Sequence, residues 1–438
     1  MVCASPVNFA LDLFGDAVGP LALFDKSFLQ SLTVDESVWF DHFFLPVISP
    51  LFFVETLADL SKRERESASR TPEDLVRIIA DKTPVMSGVP CVHHAQLCIA
   101  NLMGHEAPHF GQVPLAGGRP VKGADGKPGV VFKNSPEAEA FSRWQRGEFD
   151  EIERDFSSSW RAMLANLNLP NVALRMRALG ITPQNCKTIE HAHGIAASLV
   201  NTRFQPEKQL ALLFYFVNIP EHMWGPIVQR WSDAGFPALV QHASYAAHVL
   251  KVELFFQIAL AANLISSERA SNRADIAYFF YLPFCHIFVS GDKLHRRCAP
   301  VLLTKRQDFV WAPDLKADIA RINEELSATP EAERQMGLHK LAPQPPGDPS
   351  GVVASLWRKH APNSLSPSES QTSVSAEAER KLVEYLKSFT NAPTSPDVAT
   401  LPSDEFESVA IERLVPAKRG SWWLIPKEIA DRERNEEV

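Results

Sequence analysis

The chain has 438 residues, of which 45% are hydrophobic, and a formal net charge of -8. That length admits two or three domains with a sizeable core, and the acidic balance argues against broad, sequence-independent adhesion to nucleic acid, which needs a basic face. No uninterrupted apolar run reaches the roughly 18 residues of a membrane-spanning helix; the longest candidate, His248 to Ser266, is broken by Lys251 and Glu253. The stretch Met1 to Asp16 lacks a basic start and carries Asp12 and Asp16, unlike an export signal, so the expected location is cytoplasmic. The six cysteines (Cys3, Cys91, Cys98, Cys186, Cys285 and Cys298) are scattered, and Cys285 lies in an apolar segment, as a core thiol does.

In chain order, the first element is the short apolar run Leu21 to Phe24, a strand closed by Asp25. Pro46 to Ser49 reads as a second strand, and Pro50 at a first helical position opens a helix over Leu51 to Leu60. Glu55 falls about one and a half turns into it, with Asp59 as the alternative acid one turn on. Residues 61–265 read as mainly helical. Within them, Cys91, His93, His94, Cys98, His105 and His109 are soft donors with poor zinc spacing. Gly111 to Gly129 reads as a loop or hairpin, without the context a phosphate cradle needs. Ser135-Pro136-Glu137 caps a helix, and Phe149, Ile152, Phe156, Trp160 and Met163 recur at steps of three and four, defining a face that needs a partner. Gly180 ends a helix and Thr182-Pro183 starts another, followed by helical runs at about 206–218 and 237–266.

A helix is next expected to open at Asp275 and to stop near Pro283, before the buried strand His286 to Ser290, which Gly291 and Asp292 close. Residues 293–306 hold Lys293, Arg296, Arg297, Lys305 and Arg306 and no acid, a local patch able to steer phosphate. Phe309 to Trp311 supplies a last strand and Asp314 to Leu326 a helix. Residues 331–375, rich in proline and serine, read as a linker. Ser375 caps a helix reaching Phe389, and the end from Pro416 to Pro426 pairs Lys418 and Arg419 with Trp422 and Trp423. Two adjacent tryptophans are costly to expose, so this segment is expected to fold back onto the body.

Asp25 and Asp292 each follow a strand, while Glu55 and Asp275 sit on helices next to strands. In an open α/β sheet the carboxyl edge of the strands is where ligands bind. Four hard oxygen donors gathered there would repel one another, and a divalent cation relieves that repulsion.

The run Phe24-Asp25-Lys26-Ser27-Phe28-Leu29, then Ile48-Ser49-Pro50 with Glu55, then Asp275-Ile276-Ala277, then Phe288-Val289-Ser290-Gly291-Asp292, resembles the acidic signature of PIN-domain nucleases. The matched pieces cover about 21–60 and 270–312, and about 220 positions separate Glu55 from Asp275, far more than in a minimal PIN domain. The resemblance implies an α/β fold: a PIN-like parallel sheet sandwiched by helices, built from 17–60 and 266–330. A large, mostly α-helical insertion at 61–265 and a C-terminal extension at 376–438 would be added to it. It implies a metal-dependent endoribonuclease in which Asp25, Glu55, Asp275 and Asp292 hold Mg2+ or Mn2+. Ser27 and Ser290 would orient those carboxylates, Lys26, Lys293 and Arg296 would meet phosphate, and RNA would be the substrate. The alternatives are a catalytically inactive PIN-like module that binds or regulates through its helical insertion, and a hydrolase of another phosphate ester. Pairing with an antitoxin-like protein or a second copy stays open.

Overall fold

A computed structural model describes residues 19–62, 70–107, 113–115, 118–133, 135–202, 205–346, 350–365, 376–399, 401 and 405–436. Its main sheet has five strands, all parallel: β1 (Leu21–Phe24), β2 (Leu45–Ile48), β3 (Val89–Pro90), β6 (Ile287–Ser290) and β7 (Asp308–Trp311), in the order β3-β2-β1-β6-β7. Strands that read as continuous apolar runs, such as Leu21-Ala22-Leu23-Phe24, are those that bury both faces of a parallel sheet. Leu21, Leu23 and Phe288 point into one core, Ala22, Phe24, Ile287 and Val289 into the other. Helices cover both faces. The chain runs outward from β1 through β2 to β3, then returns to add β6 and β7 on the opposite side of β1. The direction of strand order therefore reverses between β1 and β6, and their carboxyl ends flank a crevice at that switch point.

Local chemistry sets the elements that carry the acids. Helix α1 (Lys26–Ser31) is capped by Asp25, whose side chain accepts from the Phe28 N–H. Helix α2 (Val34–Phe43) begins with a capping box made by Thr33 and Glu36. Helix α3 (Pro50–Leu57), which carries Glu55, has Ser49 as its cap and proline in its first turn. Helix α4 (Ser244–Ala261) is apolar nearly all round and is correspondingly buried. After it come the short helix α5 (Asn272–Ala277), a 3-10 segment (Tyr278–Phe284) and β6. Helix α6 (Lys293–Leu302), capped by Asp292, leads to β7 and helix α7 (Ala312–Ser327).

Several expectations change. The helix bearing Asp275 starts three residues earlier, at Asn272, so Asp275 lies in its first turn and does not cap it. The 61–265 segment is not only helical: it supplies β3 to the main sheet. A hairpin of β4 (Arg119–Lys122) and β5 (Pro128–Phe132) stands where Gly111 to Gly129 reads as a loop or hairpin, and β5 pairs in parallel with β8 (Ser408–Ile411) from the C-terminal extension. After Gly180, residues 182–185 form a turn, and the next helix begins only at Ile189, capped by Thr188. In the helix Glu151–Ala165 much of the expected buried stripe is exposed, Ile152 at 75%, Phe156 at 44% and Met163 at 48%, while Trp160 packs against the core. The stretch read as a linker contains helix α8 (Val352–His360), which buries Trp357 and sends its indole N–H to the Phe43 carbonyl at 2.7 Å. Ser375, expected to cap the helix now seen at Ala376–Asn391, lies outside the described residues.

The carboxyl end of the chain folds back. Strands β9 (Lys418–Arg419) and β10 (Trp422–Trp423) form a tight antiparallel pair. Gly420 turns between them with a φ of +56°, and a Cβ there would collide with the Asp35 carboxylate. Trp422 is fully buried against Trp39 with ring centroids 4.7 Å apart, and both indole N–H groups donate to Asn323 Oδ1. No described helix is long and apolar enough to cross a membrane.

Candidate active site

The crevice between β1 and β6 brings Asp25, Glu55, Asp275 and Asp292 into one electrostatic neighbourhood. Asp25, at the end of β1, is buried and its oxygens are fully engaged. Oδ1 accepts from the Phe28 N–H at 2.9 Å and from Ser27 Oγ at 2.9 Å. Oδ2 lies 2.8 Å from Ser27 Oγ, 2.6 Å from Ser290 Oγ and 3.4 Å from His295 Nδ1. Asp292, at the other lip, accepts from the Leu294 N–H at 2.5 Å and so doubles as the cap of α6. Its own N–H donates to Ser290 Oγ at 2.9 Å. Ser27 also accepts from the Gly291 N–H at 3.3 Å, tying the two strand ends together. Both serines thus orient Asp25.

Glu55 projects from α3 and is half-buried, with Oε2 accepting from the Tyr278 hydroxyl at 2.6 Å. Asp275 is half-buried on α5, and its backbone carbonyl accepts from His295 Nε2 at 2.6 Å. Burial raises the Asp275 carboxyl to about 7, opposed by His295 and reinforced by the negative charge of Glu55 and Asp292. Burial likewise raises Glu55, against the Tyr278 hydrogen bond and the charge of Lys26, with Asp25 adding to the rise. For Asp25 burial also acts upward, but the hydrogen bond and charge of His295 and the Ser290 hydroxyl outweigh it and hold that carboxyl below its usual range.

His295 is the functional residue that sequence reading missed. It is buried in the first turn of α6. Nε2 faces a carbonyl oxygen, which can only accept, so Nε2 carries a proton. Nδ1 lies 2.7 Å from Ser290 Oγ, whose single proton points to Asp25. With the Ser290 O–H donated to Asp25, a proton on Nδ1 completes the chain to Ser290 Oγ, the arrangement that pairs an imidazolium with the Asp25 carboxylate. Burial opposes that charge, but Asp25, through hydrogen bond and charge, and then Asp275 raise the His295 pKa. The spacing Asp292-x-x-His295 on one helix face was the available signal; Tyr278, three residues after Asp275, was the other.

Lys26, expected to meet phosphate, does not face the crevice mouth. Its side chain is 14% exposed, and its ammonium pairs with Asp59 at 2.8 Å and donates to the Glu55 carbonyl at 2.8 Å. Asp59, the alternative to Glu55, is itself taken by Lys26 and by Lys62 at 2.7 Å, and lies in a 3-10 turn past the end of α3. Lys293 and Arg296 are exposed on α6 beside Asp292, and the Arg296 guanidinium lies over the Trp311 ring, 4.7 Å from its centroid.

Among the described residues no three His, Cys, Asp or Glu side chains form a ready-made ion cage. The soft-donor cluster does not assemble a zinc site. Cys91 and Cys98 are buried with thiols pushed up by desolvation, His94 packs on Phe280 and reaches the Tyr281 hydroxyl at 3.4 Å, and His109 lies outside the described residues. Burial is the main cause of the raised Asp275 and Glu55 carboxyls, and the negative charge of neighbouring acids adds to it. Comparison with family models, with curated proteins and with solved structures finds no match for this chain.

Proposed function

We propose that this chain is a PIN-like, metal-dependent endoribonuclease, with the crevice between β1 and β6 as its hydrolytic site. One observation supports the reading: four acids from four separate elements stand near the topological switch point of a parallel sheet, and burial with neighbouring negative charge raises two of them, Glu55 and Asp275. Glu55, Asp275 and Asp292 would hold Mg2+ or Mn2+, with Asp25 joining by exchanging its Ser27 hydroxyl bond. Such an ion, when bound, would supply an acidified water and a counter-charge for the phosphoryl oxygens. The protein's own part is orientation. Tyr278 fixes the Glu55 carboxylate, Ser290 and His295 fix Asp25, and the His295 contact to the Asp275 carbonyl anchors α5 beside the strand ends. Lys293 and Arg296, exposed on α6 beside Asp292, would supply positive charge that attracts the phosphodiester.

A second reading, a PIN-like module that binds without cutting, is favoured by one feature: the Asp25 oxygens are already saturated by three side chains and a backbone N–H. Labelled single-stranded RNA, incubated with the full chain in Mn2+ or in EDTA, separates the two. Cleavage that needs Mn2+ and is lost in Asp25→Asn and Asp292→Asn supports the enzyme. RNA binding without cleavage in any divalent ion supports the module. Equal cleavage by the native chain and both variants refutes the assignment of the site.

A further inference from the structure

We propose that Arg296 and Trp311 form a nucleobase-stacking station beside the acid crevice, so that the site selects an unpaired nucleotide next to the phosphate it acts on. The inference rests on the phosphodiesterase reading for the identity of the crevice, but its own evidence is separate. Ser290 and Trp311 are register partners on the adjacent parallel strands β6 and β7. They therefore stand one strand spacing apart, about 4.8 Å, and on the same face of the sheet. Ser290 is the residue that bonds Asp25 and receives the Asp292 N–H. The indole is consequently a close neighbour of the acidic edge and lies on its side of the sheet.

Trp311 differs from the core tryptophans. Trp39, Trp144, Trp231, Trp357 and Trp422 are fully buried, whereas Trp311 is half-exposed at the last position of its strand. What covers it is Arg296, an exposed side chain with no carboxylate partner among the described residues. In a chain of net charge -8, beside four acids, a guanidinium laid over an indole and not over a carboxylate presents a planar cation to solvent. Lys293, three residues earlier on the same helix face, adds a point charge one turn nearer Asp292. Unstacked bases bind to Arg planes and aromatic faces, and their phosphates to the neighbouring cation. A base-paired nucleotide has its faces occupied by its own stack and cannot use such a platform.

The test is binding of a fluorescein-labelled single-stranded oligouridylate, followed by anisotropy, with Ca2+ replacing Mn2+ so that binding is read apart from cleavage. A second probe carries one abasic residue. Arg296→Ala and Trp311→Ala should each weaken binding of the intact oligonucleotide by roughly tenfold to a hundredfold and have a much smaller effect on the abasic one. Trp311→Phe, which keeps an aromatic face should the alanine variant fold poorly, should retain most of the affinity. Arg296→Lys separates the two roles of the side chain, since it keeps the charge and loses the plane. Failure of Arg296→Lys to restore binding supports stacking, whereas native affinity in that variant overturns it. Equal losses on both probes, or no binding by the native chain, also overturn the proposal. Absence of Mn2+-dependent cleavage with these binding effects intact would sink the nuclease reading and leave the stacking station standing.

Discussion

Replacing Asp275 by asparagine should make the metal-free protein more stable at neutral and alkaline pH. Its carboxyl is raised from 3.8 to about 7 in the fold. The sign follows from proton binding: between these values the folded state holds a proton that the unfolded state has lost, so stability falls as pH rises through that range and the full penalty is present above it. About 3 units correspond to a ceiling of about 4 kcal/mol at 1.36 kcal/mol per unit. Partial solvent exposure of the group reduces this to about 2 kcal/mol. Asn keeps the shape and removes the charge. With an unfolding entropy of about 2.1 cal/mol/K per residue, 438 residues give roughly 0.9 kcal/mol/K, so the expected gain in Tm is about 2 °C. Thermal melts in EDTA at about pH 8 and about pH 4 measure it, and the gain should be present at the first and absent at the second. An equal shift at both pH values, or a loss of stability at about pH 8, would show that burial does not hold the Asp275 carboxyl above its ordinary range.

Lys26→Met should cost about 3 kcal/mol in urea denaturation, because it strands the buried Asp59 carboxylate, leaving Lys62 as its nearest cation; adding Asp59→Leu should recover much of that loss. Trp422→Ala should cost about 3 to 5 kcal/mol by the same measurement, since it empties a site against Trp39 and removes one of the two donors to Asn323. His295→Leu should destabilise by about 3 kcal/mol near pH 5, where Asp25 is ionised and the imidazole charged. The His295 contribution is complete below its ordinary value of 6.5 and fades as pH rises through the raised folded value; that of Asp25 is complete above 3.8 and is lost below it. The cost of His295→Leu should therefore shrink in strongly alkaline solution, and an unchanged cost there would contradict the ion pair.

The places of Asp25, Asp292 and Glu55 in the fold were legible because local chemistry marks the elements that carry them. Asp25 and Asp292 close short apolar strands, and Ser49-Pro50 fixes the start of the helix that carries Glu55. What was not legible depended on contacts distant in sequence. Val89–Pro90 is too short to show a strand period, and only its pairing with Val47 and Ile48 makes it the sheet edge. Likewise β8 becomes a strand only by joining β5 across the chain. Prolines made 331–375 resemble a linker, although Val353, Leu356 and Trp357 already gave one side of a buried helix. Lys26 was misjudged because sequence shows charge but not the partner: Asp59 reaches it only once α3 has folded over α1.

The site also depends on what lies beneath it. Phe24 precedes Asp25, Phe28 lies in the helix that Asp25 caps, and Phe52 stands one turn before Glu55 on α3. Their rings meet edge to face, Phe24 with Phe52 at 5.1 Å and with Phe40 at 5.6 Å, and Phe28 with Phe40 at 4.9 Å. Each such side chain contributes about 1.5 to 3 kcal/mol by burial, so together they outweigh the cost of about 2 kcal/mol assigned to Asp275. The same rings fix where the β1 end and α3 stand, and so set the separation of two of the four acids. A fold can hold like charges together when the backbone that carries them is pinned by contacts the charges do not share. Here the aromatic floor supplies that pinning, while His295 holds the Asp25 carboxyl below its usual range and burial raises Glu55 and Asp275.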